Sequence, residues 1–413
     1  MSEVDIVRVG DGGVRIAAVP GPVGPAFARA VLEVAGAVLV WPVVDDPGLP
    51  SADIHDPASA QQWLWALYGE GAASAVHACA AGESDRLRVM ADATGLAASA
   101  GRLALGHWAS RWWPTSYLDG IPALQADVLG LESAALTHRC QQLFAADGDE
   151  FDDRAAELIE DHQAALDGLV EWWRSVPASA EQGNTARSLE RVLRLVDAAA
   201  DSAGLDGAAL RRLRTALDRG RPTTAAPVPA GLAGLFARPG GYALAAGDAL
   251  PAAGGRVIAR GLGSNDWCRY PPGLVDAAES AVSWTARAVG ARRQVEVEVV
   301  ATDTASEMAV GTQLAAEIRV DGGVPNRIRL GRRDDVWTGA ADLERSDAES
   351  LARVEVGVLL PGFDPGGGDG ADSTDGRDAR EAVRTLARRR LGATAGRFLA
   401  EIAAAESPAA EDF

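Results

Sequence analysis

The hydrophobic period of this chain changes once, at the proline-rich stretch 221–231 (RPTTAAPVPAG). Before it, apolar residues recur every three or four positions; after it, they alternate. Side chains repeat every 3.6 residues on a helix and every 2 on a strand, so the two stretches call for different elements. A largely helical first half and an antiparallel β second half are expected, joined by a Pro/Gly-rich linker over 221–249.

The first half opens on strands rather than helices. Residues 4–9 and 13–18 flank Asp11-Gly12-Gly13 and predict a hairpin. Pro22 and Pro25 precede a stretch in which Phe27, Val31 and Val34 fall on one helical face. AVLVWPVV at 37–44 predicts a buried strand in which Pro42 limits pairing. From about 58 to 112 the pattern is mostly helical. Farther on, Phe151, Ala155, Leu158, Ile159, His162, Leu166, Leu169 and Trp173 share one stripe, which predicts a single amphipathic helix. Two more helices are expected around Leu189–Val196 and Leu210–Leu217, with Gly204 and Gly220 as their stops.

Beyond the linker, 281–289 and 294–301 read as a hairpin. Strands are expected at 314–320, 327–330, 336–340 and 354–360. Short, evenly spaced strands with turn signals point to an antiparallel sandwich or barrel. The expected fold class is therefore α+β and multidomain. A small α/β unit with helices spans 1–115, and a helical domain 116–220. An antiparallel, sandwich-like β domain spans 250–362. A flexible acidic, glycine-rich loop at 363–376 then tethers an amphipathic C-terminal helix at 377–413.

Composition narrows the function. The 413 residues include no lysine, so all 39 basic residues are arginine. A phosphate-gripping P-loop lysine, a Schiff-base lysine and a lysine general base are excluded. The formal charge of -19 makes nucleic-acid binding unfavourable and disfavours anionic membranes. No apolar run approaches the roughly 20 residues that cross a bilayer. The start lacks the basic and apolar regions of a signal peptide. Cys79, Cys140 and Cys268 are odd in number, far apart and outside any CxxC pattern. That fits a reducing cytoplasm rather than a disulfide framework. No zinc-hydrolase, deaminase, GxSxG or dinucleotide fingerprint occurs, so no metal and no cofactor is expected. Gly261-Leu262-Gly263 lacks the third glycine and the following helix that a dinucleotide loop needs.

Three stretches stand out as candidate interaction elements. Trp108, Trp112 and Trp113, with His107, Arg111 and Tyr117, form an aromatic tract ending at Pro114. Asp266, Trp267, Arg269 and Tyr270 surround Cys268 before two prolines. Arg384 and Arg388 belong to an arginine flank of the last helix, with Phe398 on its apolar side. Aromatic residues and arginines dominate the energetics of protein interfaces. Each stretch has a plainer use: core packing, a domain entrance, and a helix docked back on its own acidic chain. The function expected is a non-catalytic cytoplasmic adaptor that binds other proteins through its β domain and C-terminal helix. The alternatives are an enzyme using carboxylates with His107, His138 or His162 as acid–base group, or a ligand-binding sensor module. The pattern identifies no partner, strand order or oligomeric state.

Overall fold

In the computed structural model, β1 (Ser2–Val9) pairs antiparallel with β2 (Gly13–Ala18), and Val9 faces Gly13 across the expected turn. The structure describes residues 2–10, 12–18, 24–44, 48–144, 153–176, 182–221, 235–236, 255–290, 292–302, 313–343, 353–363 and 374–406. Strands β3 (Arg29–Val34), β4 (Ala37–Pro42), β5 (Ser51–Ile54) and β6 (Arg86–Ala91) complete a six-stranded sheet in the order β3-β4-β5-β2-β1-β6. Every neighbouring pair is antiparallel. The expected α/β unit is thus corrected: among the described residues α1 (Pro57–Tyr68) and α2 (Glu70–Ala80) link β5 to β6, and the antiparallel pairs between them leave β5 and β6 antiparallel, so this connection is not a βαβ crossover. Asp56 starts α1 by accepting the Ala58 and Ser59 amides, with Pro57 in the first turn.

The helical reading of Phe27, Val31 and Val34 is also corrected. Alternation wins there: Ala30, Leu32 and Val34 are buried in β3, whereas Val31 stays 45% exposed. A tight turn at Gly36 (φ +73°) folds β3 onto β4, and a Cβ at that position would run into the Asp56 carbonyl. Strand β6 interrupts the stretch read as helical between 58 and 112. Its side chains also alternate in exposure, but they are too polar to announce an apolar face.

Helices α3 (Gly95–Trp112), α4 (Ala126–Arg139), α5 (Arg154–His162), α6 (Leu166–Ser175), α7 (Gln182–Ser202) and α8 (Ala208–Arg219) pack into the middle of the molecule. The single helix expected from 151 to 173 is broken by a 3₁₀ turn at Gln163–Ala165. Its stripe is real, since Ile159, Leu166, Leu169 and Trp173 are all buried, but two shorter helices carry it. Phe151 and most of the linker lie outside the described residues. Gly204 and Gly220 do end α7 and α8, both with positive φ.

The second half is made of antiparallel strands. Strands β7 (Arg256–Leu262), β8 (Val282–Val289), β9 (Arg292–Val300), β12 (Gly331–Arg333) and β13 (Val336–Leu343) form a sheet ordered β12-β13-β9-β8-β7. Strands β10 (Ala315–Val320), β11 (Asn326–Arg329) and β14 (Val354–Leu359) form a second sheet ordered β11-β10-β14. The chain passes between the two sheets at Leu330, whose amide bonds to the Leu314 carbonyl. It does so again at Ser264, whose amide donates to Val356 O at 2.6 Å. Alternation along β9 buries Val295, Val297 and Val299. Gly261 and Gly263, read as a turn, belong to this passage: a Cβ on either would strike Trp284, or Val282 and Val356. They are glycines because two backbones and an indole meet there.

The last helix is two helices, α9 (Thr374–Leu391) and α10 (Leu399–Glu406), separated by a bend containing Gly392 and Gly396. Both are docked. Val383, Leu386, Ala387, Phe398, Leu399 and Ile402 are buried, and so are Arg380 and Arg384. Most of the loop expected as a tether lies outside the described residues.

Candidate functional site

Two stretches some 150 residues apart meet where the helices join the β half. Helix α3 ends at Trp112, and the residue before Pro114 is held extended, so the chain turns away at Trp113. The Trp113 indole donates to Pro122 O at 2.9 Å. Residues 115–121 then form a tight loop closed by paired bonds between Ser116 and Ile121, with Gly120 at φ +65°. Facing it is the 3₁₀ turn Trp267–Arg269, capped by the Asp266 carboxylate on the Cys268 amide at 3.0 Å.

Asp276 ties the two stretches together. Only 1% of it is exposed, yet its carboxylate accepts from Ser116 Oγ (2.7 Å), Tyr117 N (2.6 Å), Leu118 N (3.3 Å) and Ala278 N (2.8 Å). The Ala277 amide donates to Thr115 O at 3.0 Å. Buried Asn265 donates to the carbonyls of Asp276 and Ala278, and Tyr270 donates its hydroxyl to Asn265. A buried carboxylate is stable when donors satisfy its lone pairs, and here four do.

Helix α9 supplies the third side. Arg380 bonds both Glu279 oxygens, at 2.5 and 3.1 Å. Burial works against the Arg380 charge, but Glu279 more than offsets it and the guanidinium is held more firmly protonated than usual. Arg384 donates to Ala277 O (3.1 Å), lies 3.2 Å from Asp119 and 2.6 Å from Glu381, and stacks 6.0 Å from the centre of the Trp267 ring. Arg388 reaches Asp119 at 3.3 Å and remains partly exposed. Phe27 completes the packing, 5.2 Å from Trp267 and 6.3 Å from Trp112.

Most residues singled out in the sequence converge here. Trp108 is buried and donates to Phe27 O at 2.7 Å. Trp112, Trp113, Trp267 and Tyr270 line one shallow cleft with Arg111 and Pro272. Two residues go elsewhere. Arg269 turns to Glu317, 3.6 Å away, and its carbonyl takes the Leu360 amide. Phe398 is fully buried at the start of α10, between the guanidinium groups of Arg102 (4.5 Å) and Arg390 (5.5 Å). Asp276, Asp119 and Glu279 were not visible as partners in the sequence, since each stands in a stretch without period or motif. Their one signal is that Asp119 lies in a Leu-Asp-Gly turn. The side chains left outside the clamp are Tyr117, 74% exposed, and Leu118, 46% exposed.

All three thiols are held in the protonated form more firmly than usual. Burial and then the Asp266 charge push the Cys268 thiol up to about 11, and burial pushes Cys140 to about 12. Among the described residues, no group of three His, Cys, Asp or Glu side chains is arranged to hold a metal ion, and no helix is long and apolar enough to cross a membrane.

The histidines lie apart from this junction. His162 sits at the break between α5 and α6, half-buried, with Nδ1 3.0 Å from Asp127 of α4. Its ring packs over Gly130, where a Cβ would overlap it. His107 opens onto a separate cavity between β3 and helices α3, α4 and α5.

The chain matches no protein-family model, no curated protein and no solved structure.

Proposed function

We propose that this protein is a non-catalytic cytoplasmic adaptor, and that it binds another protein through the loop 116–120 and the ground around it. One observation carries the reading. A fully buried carboxylate fixes the loop backbone, while the two largest side chains of that loop, Tyr117 and Leu118, stand in solvent. An aromatic and an aliphatic side chain on a pre-ordered backbone lose little entropy on binding, which is what an interface anchor requires. Arg388 flanks the pair through Asp119, so an apolar pocket with an acidic rim is the complementary surface.

The last helix takes part through this exposed arginine, its buried arginines being tied to Glu279 and Asp119. The β half, read as sandwich-like, offers the outer edge of β7, where Val257 and Leu262 are exposed. Free Cys79, Cys140 and Cys268 are in keeping with a reducing compartment.

The test is affinity purification of tagged chain from its native host, with wild type beside a Tyr117→Ser/Leu118→Ser double variant. Both side chains are exposed, so the melting temperature should not change. A stoichiometric partner is expected with wild type and should fall at least about tenfold with the variant. A partner retained equally by both, or none with wild type, overturns the reading.

A further inference from the structure

We propose that the cavity between β3, α3, α4 and α5 is a binding site for a small organic amine with an apolar body. The cavity measures about 330 Å³, the small end of the range that holds organic ligands. Its apolar wall comes from Val31, Phe144 and Leu158, and its polar groups are Glu33, His107, Arg154 and Glu157.

The charges select the ligand. Arg154 is engaged by the protein: its guanidinium lies 4.8 Å over the Phe144 ring and donates towards Glu33 O at 3.4 Å. The carboxylates of Glu33 and Glu157 have no side-chain partner among the described residues. His107 lines the cavity and is also exposed at the surface. Burial, and then the nearby Arg154 charge, hold its imidazole below its ordinary range, which favours the neutral form. Among the described residues, two carboxylates, one committed guanidinium and one neutral imidazole give the cavity lining a net charge of about -1. The whole chain carries -19, so its long-range field also favours a cation over an anion. An ammonium group can pair with the carboxylates and donate to the imidazole, while its carbon skeleton covers Val31, Phe144 and Leu158. The site lies apart from the 116–120 loop, and its test involves no protein partner.

Calorimetric titration of the full chain with phenethylamine, 2-phenylethanol and 3-phenylpropionate separates charge from shape. Phenethylamine should bind with a Kd of about 1 mM or below, at least about tenfold tighter than the alcohol, and the carboxylate should bind weakest. Glu33→Gln/Glu157→Gln, both at exposed positions, should remove that preference and leave the melting temperature unchanged. Leu158→Trp should abolish binding by filling the space. The proposal fails if phenethylamine gives no binding heat up to about 10 mM. It also fails if the alcohol binds equally well, or if the double Gln variant keeps the amine preference.

Discussion

At the residue scale, Glu132 shows how burial and pairing compete. It lies on α4, 2% exposed, and accepts the Ala400 amide at the start of α10 at 3.2 Å, with Arg102 3.5 Å away. Those partners favour the carboxylate, yet burial outweighs them and the nearby Glu401 adds to it, raising the Glu132 carboxyl to about 7 from 4.5. The folded chain therefore binds this proton more tightly than the unfolded chain does. The contribution to stability is fully present below pH 4.5 and is lost as pH rises through 7. Glu132→Gln keeps an acceptor for Ala400 and removes the titration. Melting temperatures measured from pH 5 to pH 8 should fall more for wild type than for this variant, and parallel curves would refute the assignment. His162 teaches the same lesson from the other side. Its place in an apolar stripe points to a packed histidine satisfied by a hydrogen bond; it bonds to Asp127 and keeps about a quarter of its side chain exposed at the end of α5.

At the element scale, α4 behaves differently from what propensity alone dictates. Replacing a glycine by alanine inside a helix ordinarily gains about 1 kcal/mol. In α4, Gly130→Ala should instead cost about 1 to 3 kcal/mol, since the new Cβ overlaps the His162 ring and forces α5 away. Denaturant midpoints of the two chains decide the sign. Helices α9 and α10, expected as an appendage, are internal parts of the fold. Deleting 377–413 uncovers the partners of Phe398, Leu399 and Ile402 and leaves Glu279 without Arg380. The truncated chain should melt far lower than the full chain or be insoluble, since removing one member of a buried ion pair alone costs about 3 to 5 kcal/mol. An unchanged melting temperature would mean the helices are dispensable to the core. The amphipathic face was legible because spacing encodes it. Its destination was not, because an arginine flank suits an acidic partner and the acidic surface of its own chain equally well.

At the scale of the whole molecule, the junction around Asp276 is what joins the parts. A protease site engineered at residue 240 cuts the linker without touching the described core. The nicked chain should still elute as one species in native gel filtration, because the Asp276 bonds to Ser116, Tyr117 and Leu118, the Arg384 and Arg388 contacts with Asp119, and the docking of α10 on α4 all span the cut. Asp276→Ala leaves the Ser116, Tyr117, Leu118 and Ala278 donors unpaired. At about 1 to 3 kcal/mol for each buried unsatisfied group, the nicked variant should separate at lower denaturant than nicked wild type. Separation of nicked wild type in plain buffer would show that the junction does not hold the halves together.

The sequence by itself determined what is encoded locally. It carried the change of period at the linker, the first hairpin, the valine alternation of β9 and the glycine stops of α7 and α8, because dihedral preferences and side-chain spacing act within a few residues. It also marked Trp112, Trp267 and Arg384 as unusual. Only the tertiary structure decided that these three belong to one place, that Asp276 holds the loop beside them, and that β3 is a strand. Burial, desolvation and pairing depend on neighbours brought from up to 295 positions away, as Arg102 and Arg397 are, and no local pattern contains them.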